Sequence, residues 1–369
     1  MYAFLCHQSA CEALRHLRNN VSNQPTWPPE PRLLPRYGDC VSTQHSFGLF
    51  CQEVDLGFFG VTSLPVHMLV PSAGSRSRGK RAKFHVWQKH VPAHAMVRIG
   101  ERVIVSAPAF ILMQMAAQNY KADPIMERFV EKYHADQAVS LDGWVAYDDP
   151  FEWARMERLV RMALVACEFA GSYRLAVGGR DTAYGLASLI TCEGAYDFAK
   201  ATPHPYGIKR MRAALGLAFD CSASPMESAL ALMLTLPVEM GGFALPRPTL
   251  NEGLPTGRWE TFWDGGDTVT PDLLWRDAHL AIEYESDEFH GSQGPRKATS
   301  DASRGNVLAA MGYTVLRATT GTVASLHALE RLAGQVAAHL GIMPALSNDV
   351  AAIRRQRLHT LLVRHGRPV

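Results

Sequence analysis

Pro271-Asp272-Leu273-Leu274-Trp275-Arg276-Asp277-Ala278-His279-Leu280-Ala281-Ile282-Glu283-Tyr284-Glu285 is the stretch around which the rest of the chain is arranged. Two apolar runs, Leu273 to Trp275 and Leu280 to Tyr284, flank a short polar segment, the pattern of two strands joined by a hairpin loop. If Arg276 to His279 form the loop, Trp275 faces Leu280, and counting outward sets Asp272 opposite Glu283. Side chains alternate faces along a strand, so Glu285 joins these two acids. Leu273, Trp275, Leu280, Ile282 and Tyr284 take the other face. Like charges opposite one another across a sheet are destabilising. At roughly 5.5 Å and an effective dielectric of about 20, each pair costs on the order of 3 kcal/mol. A bound cation, a raised pKa, or nearby Arg and Lys must offset that. Mg²⁺ asks for clustered oxygen ligands of this kind, and such an ion stabilises the attacking and leaving oxygens in phosphodiester cleavage. The plain structural alternative is an exposed sheet face whose acids are balanced by Arg276 or Arg304.

A chain of 369 residues favours two or three domains over one. The formal net charge is only +2, so any pull towards nucleic acid must be local. Seven cysteines, odd in number and without a CxxC pair, suggest neither a disulfide framework nor a zinc site, and fit a reducing cytoplasm. Met1 to Arg18 lacks a charged-then-apolar signal layout, and no uninterrupted apolar run reaches membrane-spanning length. A cytoplasmic protein with no membrane association is expected.

Working back from the hairpin, Ser224-Pro225-Met226-Glu227 spells a capping box with Pro at the first helical position. Ala229 to Leu234 follow, apolar on nearly all sides and therefore a buried helix. Pro237 ends it, Gly241-Gly242 turns the chain, and a strand is expected near Leu250. After the hairpin come a loop from Ser286 to Ser300, a helix from Asp301 to Met311 stopped by Gly312, and a strand from Tyr313 to Ala318. A helix from Val323 to Leu340 follows, with Leu326, Leu329, Leu332 and Val336 inward. The order helix, three strands, helix, strand, helix is an α/β unit with a mixed sheet.

Upstream, Ser9 to Leu17 has a helical face in Ala10, Ala13, Leu14 and Leu17, and five prolines from Pro25 to Pro35 mark an extended connector. Strands are expected at Val66 to Val70, Phe84 to Trp87, Met96 to Ile99 and Arg102 to Val105. Between the first two lie Arg76, Arg78, Lys80, Arg81 and Lys83, either a grip on a phosphate backbone or a solvated hairpin loop. Ser106 reads as the cap of a helix over Ala107 to Gln118. Asp149-Pro150 opens a helix stopped by Gly171, and a helix begins near Gly207 with Lys209, Arg210 and Arg212 on one face. From Pro344 a linker leads to a basic helix with Arg354, Arg355, Arg357 and Arg364.

Pro271-Asp272, the Ile282-Glu283-Tyr284-Glu285 strand, His290, Asp301-Ala302-Ser303-Arg304 and Gly312-Tyr313-Thr314-Val315-Leu316-Arg317 together resemble the PD-(D/E)xK nuclease fold. More narrowly, they resemble the uncharacterised bacterial domain related to very-short-patch repair endonucleases, over about residues 223 to 340. The resemblance implies a metal-dependent DNA endonuclease with Mg²⁺ (or Mn²⁺) on Asp272 and Glu283, and Glu285 at the family's usual Asp or Glu position. The motif's Lys is absent, since position 285 is Glu, and relatives of the short-patch kind also lack it. His290 is then the candidate for water activation or leaving-group protonation, against an ordinary surface His. Lys297 and Arg304 either stabilise the charged transition state or pair with Asp301. Glu227 either points at the site, as acids on that helix do in this fold, or serves its capping box. Leu64-Pro65-Val66-His67, Phe84-His85-Val86-Trp87 and Val103-Ile104-Val105-Ser106-Ala107-Pro108 resemble AbiEi-type antitoxins, although residues 1–60 are poorly matched to the winged helix-turn-helix that such antitoxins carry.

The expected fold class is α/β, within a multi-domain α+β chain. A restriction-endonuclease-like αβββαβ domain with a mixed sheet (223–341) is preceded by an N-terminal helix and connector (1–60), a β-rich antitoxin-like domain (61–148) and a helical middle region (149–222), and is followed by a basic tail helix (342–369). The expected function is Mg²⁺-dependent cleavage of DNA in phage defence or repair, with DNA, a second copy of the chain and a toxin or defence-system protein as partners. The alternative is a non-catalytic DNA-binding, antitoxin-type regulator. A small-molecule enzyme has little support, because no GxSxG, GxxxxGK[ST], HExxH or Rossmann fingerprint is present.

Overall fold

The computed structural model describes residues 1–18, 39–72, 79–87, 91–117, 150–202, 207–262, 266–286, 303–343 and 349–365. The connector Pro25 to Pro35 and the candidate residues Arg76, Arg78, His290 and Lys297 lie outside them, as does Asp301. The chain divides into two compact units, one of Met1–Asn119 with Glu168–Gly216, the other of Tyr120–Cys167 with Leu217–Arg367. Both hold helices around a sheet of mixed direction, so the α/β class expected from the sequence is observed. Among the described residues no helix is long and apolar enough to cross a membrane.

The first unit contains β1 (Ala3–Leu5), α1 (His7–Leu17), α2 (Gln44–Glu53), β2 (Val66–Val70), β3 (Ala82–Val86), β4 (Met96–Arg98), β5 (Val103–Ser106) and α3 (Pro108–Ala117). Its sheet runs β3-β2-β1-β5-β4. The central strand, β1, was not expected. Its three residues are buried, with neighbours on both sides, so Ala3-Phe4-Leu5 shows no alternation to mark it as strand. The expected strands at 66–70, 84–87, 96–99 and 102–105 are all present within two residues.

Two local expectations are corrected. β2 and β3 pair in parallel, His67 beside Lys83 and Leu69 beside His85, so the basic run between them belongs to a crossover and not to a hairpin. Its described members Lys80, Arg81 and Lys83 are exposed, with the Arg81 guanidinium 5.8 Å from the Phe47 ring centroid. Ser106 does not cap α3. It ends β5, where its hydroxyl donates to Leu5 O at 3.2 Å and accepts from Gln114 Nε2 at 2.9 Å.

Helix α4 (Pro150–Ala170) stops before Gly171 as its spacing predicted. Within the first unit, Glu168 is wholly buried and accepts from Arg15 Nε at 2.7 Å, Arg15 Nη2 at 2.6 Å and Leu175 N at 3.0 Å. Arg18 beside it donates to the carbonyls of Glu168, Tyr173, Gly171 and Ala187. This fork of donors adds side-chain ties to a loop whose own backbone bridges, Arg174 with Ala183 and Val177 with Arg180, already fold it back on itself. Helix α5 (Cys192–Ala201) was not expected. Helix α6 (Ile208–Leu217) follows Gly207, whose φ of +75° and approach to Ala116, 2.4 Å from where a Cβ would stand, admit only glycine. The basic face of α6 includes internal ties: Arg210 Nη1 donates to Ala116 O at 2.7 Å, and Arg212 lies over Tyr196.

The second unit is built on α7 (Pro225–Thr235), the buried helix expected from its composition, with Ala229 to Leu234 no more than 1% exposed. Then come β6 (Thr249–Leu250), the small pair β7 (Leu254–Pro255) and β8 (Thr268–Val269), β9 (Leu273–Trp275), β10 (Leu280–Glu285), helix α8 over residues 303–310, and β11 (Thr314–Thr319). The main sheet runs β11-β10-β9-β6, antiparallel except for the parallel pair β10 and β11. The predicted helix over 323–340 is two helices, α9 (Thr320–Ala324) and α10 (Leu326–His339). Ser325 breaks the run by accepting Ala328 N, and Thr319 caps α9 through Thr322, side-chain bonds that compete with helix continuation. Helix α11 (Asp349–His365) packs against α7. Arg354 and Arg355 on it are buried, with Arg354 Nη1 on Glu239 O at 2.7 Å and Arg355 over the Phe243 ring. Gly241, at φ +93°, lets the α11 backbone come close, for a Cβ there would lie 2.5 Å from Arg354 O.

Candidate functional site

The hairpin forms in the expected register. Leu280 pairs with Trp275, Ala281 with Leu274 and Ile282 with Leu273. One step further along this ladder Asp272 comes opposite Glu283. A turn of 3-10 helix over Arg276–Ala278 and a left-handed His279 at φ +51° close the loop. Leu273, Trp275, Leu280 and Ile282 are buried on the face opposite the acids, where Trp275 Nε1 donates to Pro246 O at 2.8 Å.

The acid face is covered rather than exposed. Leu274 and Ala281, which share it, pack with Leu254, Val269, Val307 and Leu308 from the β7-β8 pair and α8. Asp272 and Glu283 are 8% and 5% exposed, and Glu285, at the strand end, is half-buried. That removes the expectation of an open sheet face with scattered acids. The balancing cation is found: α8 brings Arg304 Nη2 to 2.5 Å from Glu283 Oε2. Arg276 is not involved, since it pairs with Glu252 at 2.6 Å. Glu285 Oε1 lies 3.1 Å from Arg317 Nη1 of the neighbouring β11.

Glu227 joins this site from α7. The capping box is only half made. Ser224 Oγ accepts Glu227 N at 3.1 Å, while the Glu227 carboxylate accepts from Ala223 N at 2.9 Å and Asn251 Nδ2 at 2.8 Å in place of the Ser224 backbone N–H. Asn251, held at φ +48°, also donates from its backbone to Asp272 O at 3.1 Å, so one residue ties both acids in place. Asp272 Oδ2 in turn accepts Tyr284 N at 2.6 Å. Burial first, and the negative charge of Asp272 second, push the Glu227 carboxyl up from 4.5 to about 7. Asn251 was not singled out in the sequence. Its one legible signal is that Asn tolerates the left-handed conformation better than most residues.

The pH consequence has a definite sign. Between about pH 4.5 and 7 the folded chain retains a proton on Glu227 that the unfolded chain has released, so this group's contribution to stability falls as pH rises through that window. A shift of this size corresponds to about 3 kcal/mol. Glu227→Gln keeps an acceptor for Ala223 and Asn251 without the charge. The variant is expected to unfold at higher denaturant concentration at about pH 8, and to lose most of the decline between acid and neutral pH. Equal pH profiles for variant and wild type would rule out this account.

The structure therefore brings Glu227, Asp272, Glu283 and Arg304 together, with Glu285 at the margin. Among the described residues these acids do not close into a trio of donor atoms all within 4.8 Å of one another. Two carboxylates completed by water and a substrate phosphate are the usual provision for Mg²⁺, whereas a full protein cage is not. Comparison of the chain with protein-family models, curated proteins and solved structures gives no match.

Proposed function

We propose that the second unit is a PD-(D/E)xK-type nuclease domain, and that Asp272 and Glu283 hold a Mg²⁺ or Mn²⁺ ion for hydrolysis of DNA phosphodiester bonds. The observation that carries this is the buried convergence of Glu227, Asp272 and Glu283 from three elements, with Glu227 driven towards its neutral form first by burial and then by the negative charge of Asp272. A doubly charged ion relieves that repulsion, and once bound it supplies a Lewis acid for the phosphoryl oxygen and an acidified water. Asn251 fixes Glu227 and the Asp272 backbone, and the Tyr284 amide orients the Asp272 carboxylate. Arg304, 2.5 Å from Glu283, would stand where it could stabilise the charge developing on the phosphate oxygens in the transition state. Lys80, Arg81 and Lys83, exposed in the first unit, offer phosphate contacts that carry no sequence information.

One observation favours the second reading, a non-catalytic DNA-binding regulator: Arg304 already neutralises Glu283 at 2.5 Å, where an ion would otherwise be needed. The two readings separate on supercoiled plasmid incubated with the full chain and Mg²⁺ or Mn²⁺. The nuclease reading expects nicking or linearisation that Asp272→Asn and Glu283→Ala abolish while DNA binding persists in a gel-shift assay. Plasmid left intact at every protein and metal concentration, with binding retained, hands the function to the regulator.

A further inference from the structure

A second cluster of metal-binding side chains lies in the first unit, remote in sequence from the acidic hairpin. Cys6 follows β1, His7 opens α1, and His85 lies on β3; one donor atom from each falls within 4.8 Å of the other two. The sheet makes this meeting. Cys6 N donates to His67 O at 3.0 Å, which extends the β1-β2 ladder by one residue, and β3 runs beside β2 with His85 next to Leu69. His7 then leaves the strand at φ +49°, a left-handed conformation costing on the order of 1 kcal/mol or more for a residue with a Cβ, and its amide donates to Gln114 Oε1 at 3.3 Å. The result is a His7 ring stacked on that of His85 with centroids 3.9 Å apart, and a His67 ring whose Nδ1 is 3.1 Å from His85 Nε2. Cys6 is fully buried and His7 is 7% exposed.

The geometry points to a transition-metal site in which Cys6, His7 and His85 bind a Zn²⁺-like dication, with His67 bonded to His85 behind it. A thiolate with imidazoles is the donor set of zinc and of neighbouring borderline-soft metals, and is the wrong one for Mg²⁺. Tetrahedral zinc with bonds of about 2.0 to 2.3 Å spaces its ligand atoms roughly 3.3 to 3.6 Å apart, so a trio already within 4.8 Å closes by at most about 1.5 Å on loading. His67 fits the outer position by geometry, its Nδ1 lying 3.1 Å from His85 Nε2, where it can accept. With His85 donating from Nε2, its other nitrogen would be the one left to ligate the ion, as an outer-shell hydrogen bond selects. Binding at Cys6 would take the thiolate form, so loading the site releases the thiol proton. No CxxC or HxxxH spacing announces this site, because its ligands come from residues 6, 7 and 85 and meet only through strand order.

The test uses the full chain, stripped of metal and titrated with Zn²⁺ or Co²⁺. About one equivalent of Co²⁺ is expected to bind with a thiolate-to-cobalt charge-transfer band, and Zn²⁺ is expected to displace it. Cys6→Ser is expected to lose the band, His67→Ala to weaken affinity about 10–100-fold, and Cys221→Ser, an exposed cysteine, to change neither. Should Cys6→Ser fail to fold by circular dichroism, His85→Asn on the half-buried strand position takes its place and is expected to weaken binding with the fold intact. No stoichiometric uptake at micromolar metal overturns the site. A charge-transfer band unchanged in Cys6→Ser, or full affinity in folded His85→Asn, does the same. None of these results bears on the acidic hairpin, whose residues are different.

Discussion

Arg304→Ala is expected to destabilise the second unit by about 3–5 kcal/mol, because it leaves Glu283 charged and 5% exposed without the guanidinium that now stands 2.5 Å away. The loss has two parts: the Coulomb attraction disappears, and Glu283 then faces the negative field of Asp272 across the ladder. Denaturant titration should show the second unit unfolding at markedly lower concentration, with little change in the slope of the transition. Millimolar Mg²⁺ is expected to recover part of the loss in Arg304→Ala and to do less for wild type, since in wild type the ion must first displace the guanidinium. An Arg304→Ala protein as stable as wild type shows that the pair is not what holds Glu283. A fall in stability that Mg²⁺ leaves untouched supports the regulator reading over the nuclease.

Glu168→Ala is expected to cost a similar amount, about 3–5 kcal/mol, in the first unit. Glu168 is 0% exposed and accepts three hydrogen bonds, two of them from Arg15, so truncation leaves a partly buried guanidinium facing an apolar hole. It also unseats the Leu175 amide at the start of the loop that Arg18 gathers through four carbonyls. Glu168→Gln, which keeps an acceptor for Leu175 and loses only the charge, should be destabilised less. A midpoint within about 0.5 kcal/mol of wild type for Glu168→Ala would show that the buried pair contributes no more than a surface one.

The hairpin was legible because two signals agreed, a pair of apolar runs and a four-residue polar link, and from these Trp275 facing Leu280 follows. The capped, all-apolar helix at Pro225 was legible for the same reason. β1 was not, because a central strand buried on both faces is a short apolar run without periodicity. The hairpin alternative for the basic run between β2 and β3 fails because the two strands pair in parallel; sequence shows two strands and a polar link, but not whether the second strand returns or crosses over. The break at Ser325 rests on side-chain hydroxyls bonding backbone amides, which the helical period of the flanking leucines conceals. At the site, Asp272 and Glu283 followed from register, whereas Asn251 entered through a left-handed turn and Arg304's pairing with Glu283 through the placement of a helix.

The burial of Arg354, Arg355, Leu358 and Leu362 has a practical bearing on any excised fragment of the second unit. Cutting at residue 341 would uncover the greasy flank of α7 that α11 shields, and would remove the guanidinium bound to Glu239 O beside the tight turn at Gly241. Such a fragment would offer a long apolar cylinder to its own copies, and an inactive, precipitating preparation would report on that uncovered flank and not on the chemistry of the carboxylates.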